Sequence, residues 1–238
     1  MNMYTFLTAA EIAVNVAEDI AGYVRKNPGA LLCMAAGDVA LPVFRALIVM
    51  QSRGEVDLNS VFYVGLCEWV GVSKTTAGSF SSMFYEDFIG PAGVDIERVC
   101  LWDGSCDRLE SEKRRVERWL SERGGLGLAV LDIGRNGRVG FNEPNTGFAE
   151  GAVIVALDYM TITEAMRYFK GMLPVRYGVS LGLGELNKAD KLILVAIGDD
   201  KTGAVSRAVN GGRSFAAPVS LLMDHGDVTL YTDGGGAA

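Results

Sequence analysis

Short apolar runs alternate along this chain with stretches of helical periodicity, and that alternation limits the fold more than any other feature of the sequence. The runs are ALLCMA at 30–35, VFYVGL at 61–66, ERVCLW at 97–102, LGLAVLDIG at 126–134, AVIVAL at 152–157, RYGVSLGL at 176–183 and KLILVAIG at 191–198. A strand that is apolar all round must be covered on both faces, as the central strands of a parallel sheet are. The stretches between the runs supply the crossovers. Thr8 and Glu11 form a capping-box signature ahead of Ile12, Val16, Ile20 and Val24, and Asn27-Pro28 stops that opening helix. In CDRLESEKRRVERWLSERGG, Leu109, Val116 and Leu120 make one apolar stripe on a charged helix that ends at Gly124-Gly125. Strands alternating with helices predict an α/β fold, a single-domain Rossmann-like open sheet, mostly parallel, with helices on both faces. In such sheets ligands sit in a crevice at the carboxyl ends of the strands. The domain is expected to span 1–233, with the Gly/Ala stretch at 234–238 as a disordered tail.

Composition narrows the function classes. A chain of 238 residues can bury a sizeable core, and its net charge of -7, from 22 Lys and Arg against 29 Asp and Glu, offers no basic surface. Nucleic acid and anionic membranes are therefore not expected partners. Cys33, Cys67, Cys100 and Cys106 form no C-x-x-C pair, and His225 is the sole histidine, so no metal site is expected. The first residues lack the basic and apolar regions of a signal peptide, and no apolar run spans a bilayer. The expectation is a cytoplasmic protein with free thiols. His225, followed by Gly226, reads as a helix-end residue that bonds free carbonyls before the last strand.

Four loops that follow strands carry the polar chemistry. In Ala35-Ala36-Gly37-Asp38-Val39, the glycine turn offers N–H groups to a phosphate at a helix start, or else Asp38 caps that helix itself. Cys67 and Glu68 leave the end of the second run together; Cys67 reads as a small buried hydrophobe or as a nucleophile that lacks an evident activator. The loop 132–144 holds Gly134, Gly137 and Gly140, as tight turns require, and its Arg138 and Glu143 form either a charge pair at the crevice or a solvated surface pair. In Gly198-Asp199-Asp200-Lys201 an Asp-capped helix start carries a lysine in its first turn, which opposes the macrodipole and suits an anion. Gly182-Leu183-Gly184-Glu185-Leu186-Asn187 lacks the third glycine of a dinucleotide fingerprint and is set aside.

Through GRNGRVGFNEP at 134–144, LCEW at 66–69 and GDDK at 198–201, the chain resembles the glucosamine-6-phosphate deaminase/isomerase family, and within it the galactosamine-6-phosphate isomerase branch. The resemblance runs from the first of these runs to the last and implies a sheet shared with phosphogluconolactonases and pentose-phosphate isomerases. It also implies an amino-sugar-phosphate isomerase or deaminase acting on a sugar phosphate or sugar, without cofactor. Homo-oligomer formation stays open. In the family an aspartate just after strand two moves a proton between C1 and C2, a histidine opens the ring, and the glutamate of N-E-P orients that histidine. Carried over, the aspartate position is Cys67, the histidine position is Arg138, Asn136 is an accepted variant and Glu143 is retained. Glu68 accompanies Cys67 in the candidate catalytic set. The resemblance assigns phosphate binding to the Gly37 and Asp38 loop, to Arg167 and to Lys201, but the loop's two threonine positions are Ala36 and Val39. Val153 and Val155 replace the basic residues that bind an effector in regulated members. Arginine stays protonated and a thiol is a poor base, so the implied activity is reduced or altered. The alternatives are an inert sugar- or sugar-phosphate-binding homologue, and thiol chemistry at Cys67 with Arg138 lowering its pKa.

Overall fold

The computed structural model describes residues 1–169 and 174–233, so the expected tail at 234–238 lies outside the described residues. The elements run β1 (Asn2–Thr5), α1 (Ala9–Lys26), β2 (Leu31–Met34), α2 (Ala40–Ser52), β3 (Phe62–Gly65), β4 (Cys67–Trp69), α3 (Phe80–Phe84), α4 (Gly90–Ala92) and β5 (Val99–Cys100). They continue as α5 (Leu109–Ser121), β6 (Leu128–Asp132), β7 (Ala152–Ala156), α6 (Tyr159–Tyr168), β8 (Tyr177–Leu181), α7 (Leu183–Leu186), β9 (Lys191–Ala196), α8 (Thr202–Asn210) and β10 (Val228–Thr232). Seven strands form one sheet in the order β1-β10-β9-β6-β2-β3-β5, every neighbouring pair parallel. Three more, β4-β8-β7, form a small antiparallel sheet. The fold is the expected single-domain α/β architecture.

The two-sided apolar pattern of β2 has a direct cause: Leu31 and Cys33 point into one buried cluster, Leu32 and Met34 into the other. α1 closes the second cluster with Ile12, Val16, Ile20 and Val24, and its capping box is complete, since the Thr8 hydroxyl accepts from the Glu11 N–H while the Glu11 carboxylate accepts from the Thr8 N–H. α5 buries Val116 and Leu120, while Leu109 is only half-buried.

Three expectations are corrected. The runs at 152–157 and 176–183 do not enter the parallel sheet; they are β7 and β8 of the small one, and Ile154 of β7 faces solvent. In β7 apolar composition on both faces did not mean burial on both faces, whereas β8 is buried at every residue but Tyr177. The chain opens on a strand rather than a helix, because Asn2–Thr5 pairs with β10 at the sheet edge, where exposed side chains leave no apolar signature. His225 does bond carbonyls, but they belong to no helix end: Nε2 meets Ala189 O at 2.8 Å in another loop, and Nδ1 lies 2.9 Å from Asp227 O.

Candidate active site

The chain steps outward from β2 through β3 and β5, then returns to pair β6 on the other side of β2. Loops leaving β2 and β6 diverge there, and an open sheet keeps its crevice at such a reversal. A cleft of about 360 Å³ occupies it, lined at its floor by Cys67, Asp132, Arg138 and Lys201 and nearer its rim by Asp38, Arg135, Glu164, Arg167 and Asp200.

Cys67 is the first residue of β4, reached from β3 through the single residue Leu66. It lines the cleft but is only 9% exposed. Burial pushes its thiol well above the ordinary range, against the pull of Arg138. The thiol is thus kept protonated, the opposite of the activation that thiol chemistry needs. Behind it Trp69 packs against Phe80 and Phe141, with ring centroids 5.1 and 4.6 Å away. Glu68 points away from the cleft. Its carboxylate accepts from the N–H groups of Trp69 and Ser81, both at 2.8 Å, and of Phe80 at 3.2 Å, so it caps the start of α3. Burial raises Glu68 to about 7, opposed by the bonds from Ser81, Trp69 and Phe80. The sequence expectation grouped Glu68 with the reacting residues; the structure gives it the placing of the segment after β4.

The loop after β6 turns tightly, with Gly134 N–H donating to Arg138 O and Gly137 N–H to Gly134 O, both at 2.9 Å. Gly137 is left-handed at φ 87°. A Cβ at Gly134 would stand 2.5 Å from Arg138 Cγ, so glycine there admits the arginine side chain. The expected Arg138–Glu143 pair does not form. Arg138 donates instead to Glu164 Oε2 at 2.7 Å and to Gly140 O at 2.6 Å. Burial pulls its pKa down, but Glu164, Glu143 and Asp132 outweigh that and hold it above the ordinary value. Glu143 is buried behind the loop, where it accepts from Asn136 Nδ2 at 2.8 Å and from the Asp158 N–H at 3.3 Å; Asn136 Oδ1 in turn accepts from the Arg138 N–H at 3.1 Å. Asn136 and Glu143 thus shape the turn that presents Arg138, and neither lines the cleft.

Asp38 does not cap α2, whose start carries no side-chain cap; it pairs with Arg167 at 2.8 Å. Gly37 has φ 117° and lies against the Tyr168 hydroxyl. Lys201 is paired with Asp132, and neither Asp199 nor Asp200 caps the turn that carries it. Arg135 pairs with Asp200 and lies 3.7 Å from Glu164. Burial raises Asp132, against Lys201 and Arg138. The four cations of the cleft, Arg135, Arg138, Arg167 and Lys201, are therefore each matched by one of four carboxylates.

A glucosamine-6-phosphate deaminase from Thermoanaerobacter sp. (strain X514) is 32% identical over 224 residues, 94% of this chain and 88% of that protein. One from Clostridium novyi (strain NT) is 30% identical over 235 residues, 98% of this chain and 97% of that protein. The chain belongs to the glucosamine-6-phosphate deaminase family. A solved monomeric glucosamine-6-phosphate deaminase of the NagB superfamily superposes with a TM-score of 0.95 at 28% identity, covering 100% of this chain and 99% of that one. The fold extends to 6-phosphogluconolactonase from Thermotoga maritima, with a TM-score of 0.78 at 17% identity over 97% of this chain and 98% of that one. No protein-family model matches the chain. Among the described residues, no helix is long and apolar enough to cross a membrane.

Within this deaminase-family cleft, sequence reasoning missed Asp132 and Glu164. Asp132 was legible as the one charged residue ending an otherwise apolar strand run, at the end where crevices form. Glu164 stands three residues before Arg167, hence on the same side of α6.

Proposed function

We propose that the cleft binds an amino-sugar phosphate of the glucosamine-6-phosphate or galactosamine-6-phosphate type, and that isomerisation and deamination run there far below ordinary enzyme rates. One observation carries the reading. The groups at the two proton-transfer positions, Cys67 and Arg138, are both held in states unfit for that task, a thiol pushed up by burial and a guanidinium fixed by Glu164 and Gly140 O. A base must give and take a proton near the working pH, and neither group does so. In this reading C1 and C2 of the opened sugar lie over Cys67 and Arg138, and the phosphoryl group lies toward Gly37, Arg167 and Lys201. Asn136 and Glu143 position the Arg138 turn, and Glu68 positions Cys67. A second reading, a sugar-binding homologue without turnover, is favoured by the pairing of every cleft cation with a carboxylate.

The experiment supplies glucosamine-6-phosphate and galactosamine-6-phosphate and follows ammonia and ketose phosphate. The native protein is compared with a Cys67→Asp, Arg138→His double variant. A general acid or base contributes about 10² to 10⁴ in rate, so the double variant is expected to exceed the native protein by at least about 10²-fold. Ordinary turnover by the native protein would sink the attenuation. Binding without turnover in the native protein selects the second reading. Absence of thermal stabilisation by either sugar phosphate removes the site assignment itself.

A further inference from the structure

Asp38 and Arg167 meet at the rim of the cleft from different elements, Asp38 from the loop after β2 and Arg167 from α6. The guanidinium Nη2 donates to Asp38 Oδ2 at 2.8 Å, and both side chains are more than half exposed. Their encounter is built into the backbone. The Tyr168 hydroxyl lies against the backbone at Gly37, the residue before Asp38. Gly37 leaves the space for that hydroxyl, since a Cβ there would come within 3.0 Å of it. The helical turn that carries Arg167 thus also packs against the loop that carries Asp38.

An exposed ion pair of this kind adds little to stability. Its effect is on what Arg167 can offer to a ligand, because the fork that would hold a phosphoryl group already holds a carboxylate. The rest of the cleft provides no surplus charge, since Arg135, Arg138 and Lys201 are matched in the same way. We propose that Asp38 is a specificity-determining residue, an internal competitor for the phosphoryl group at Arg167 that lowers affinity for phosphorylated sugars relative to unphosphorylated ones. This rests on the reading of the cleft as a sugar-phosphate site and is independent of the chemistry at Cys67. While the pair is formed the guanidinium meets an entering phosphoryl group without net charge, and losing one such exposed charge–charge attraction at physiological salt weakens binding by about tenfold.

The test is calorimetric titration of the native protein, Asp38→Asn and Asp38→Ser with glucosamine-6-phosphate and with unphosphorylated glucosamine. Asp38→Asn keeps the shape and removes only the charge, and the exposure of Asp38 leaves folding intact. Both variants are expected to bind the 6-phosphate about tenfold more tightly than the native protein, with glucosamine affinity within about twofold. The gain disappears when Arg167→Met is added to Asp38→Ser. Equal affinity of all three proteins for the 6-phosphate overturns the role of Asp38 while the site assignment stands. If none of them binds the 6-phosphate, the site assignment fails and this inference falls with it.

Discussion

A thiol and a guanidinium at the centre of the cleft acquire their character from their neighbours. Cys67 loses solvent on every side but the cleft, and Arg138 is spoken for by Glu164. Cys67 is therefore expected to resist alkylation by iodoacetamide at neutral pH and to react appreciably only well above pH 9, the ordinary thiol value, while the half-buried Cys106 labels first. Mass-spectrometric mapping of label against pH checks this, and a Cys67 that labels as fast as Cys106 at pH 7 overturns it. At this scale the sequence was informative about which positions reach the cleft and silent about partners. Cys67, Arg138 and Lys201 line the cleft, as strand-end placement implied, and Arg167, which the family resemblance supplied, joins them from α6. Their partners Asp132, Glu164 and Asp38 come from segments far apart in the chain, and pairing of that kind is decided by the packing of loops that no local pattern encodes.

Among the elements, α3 depends on a carboxylate outside itself. Glu68 supplies bonds to the N–H groups of Phe80 and Ser81, and its folded-state pKa of about 7 lies above the ordinary 4.5. Between those values the folded chain holds a proton that the unfolded chain has released. The contribution is therefore fully present below about pH 4.5 and is lost as pH rises toward 7, at no more than about 1.4 kcal/mol per pH unit. Denaturant titrations across this range should show stability falling with rising pH from this group, and Glu68→Gln should flatten that fall; an unchanged slope in the variant overturns it. The elements themselves were largely legible. α1, α5, β2, β3, β6 and β9 follow from capping, stripes and two-sided apolar runs. What remained hidden was the sheet to which β7 and β8 belong, because β8 is buried on both faces as a parallel-sheet strand is, and Ile154 of β7 reads the same in solvent as in a core.

The molecule as a whole is held by a core that ignores the division into two sheets. One buried cluster contains Leu31 and Cys33 of the large sheet together with Trp69, Val179 and Leu181 of the small one. The two sheets are expected to unfold together, so that tryptophan fluorescence, reporting Trp69, Trp102 and Trp119, and far-ultraviolet circular dichroism give coincident thermal transitions. A fluorescence transition that precedes the loss of helix would separate them. The joint between the sheets is one residue wide. Leu66 donates its N–H to Met34 O in β2 and accepts at its carbonyl from the Leu181 N–H in β8. Cys67 thus rides on the small sheet, whereas Asp132 ends a strand of the large one. The separation across the cleft floor is accordingly set by how the two sheets pack together rather than by either sheet alone. Remote substitutions that tilt the small sheet, such as any side chain at Gly178, where a Cβ would meet Phe141 at 2.2 Å, retune the cleft without altering a residue that lines it.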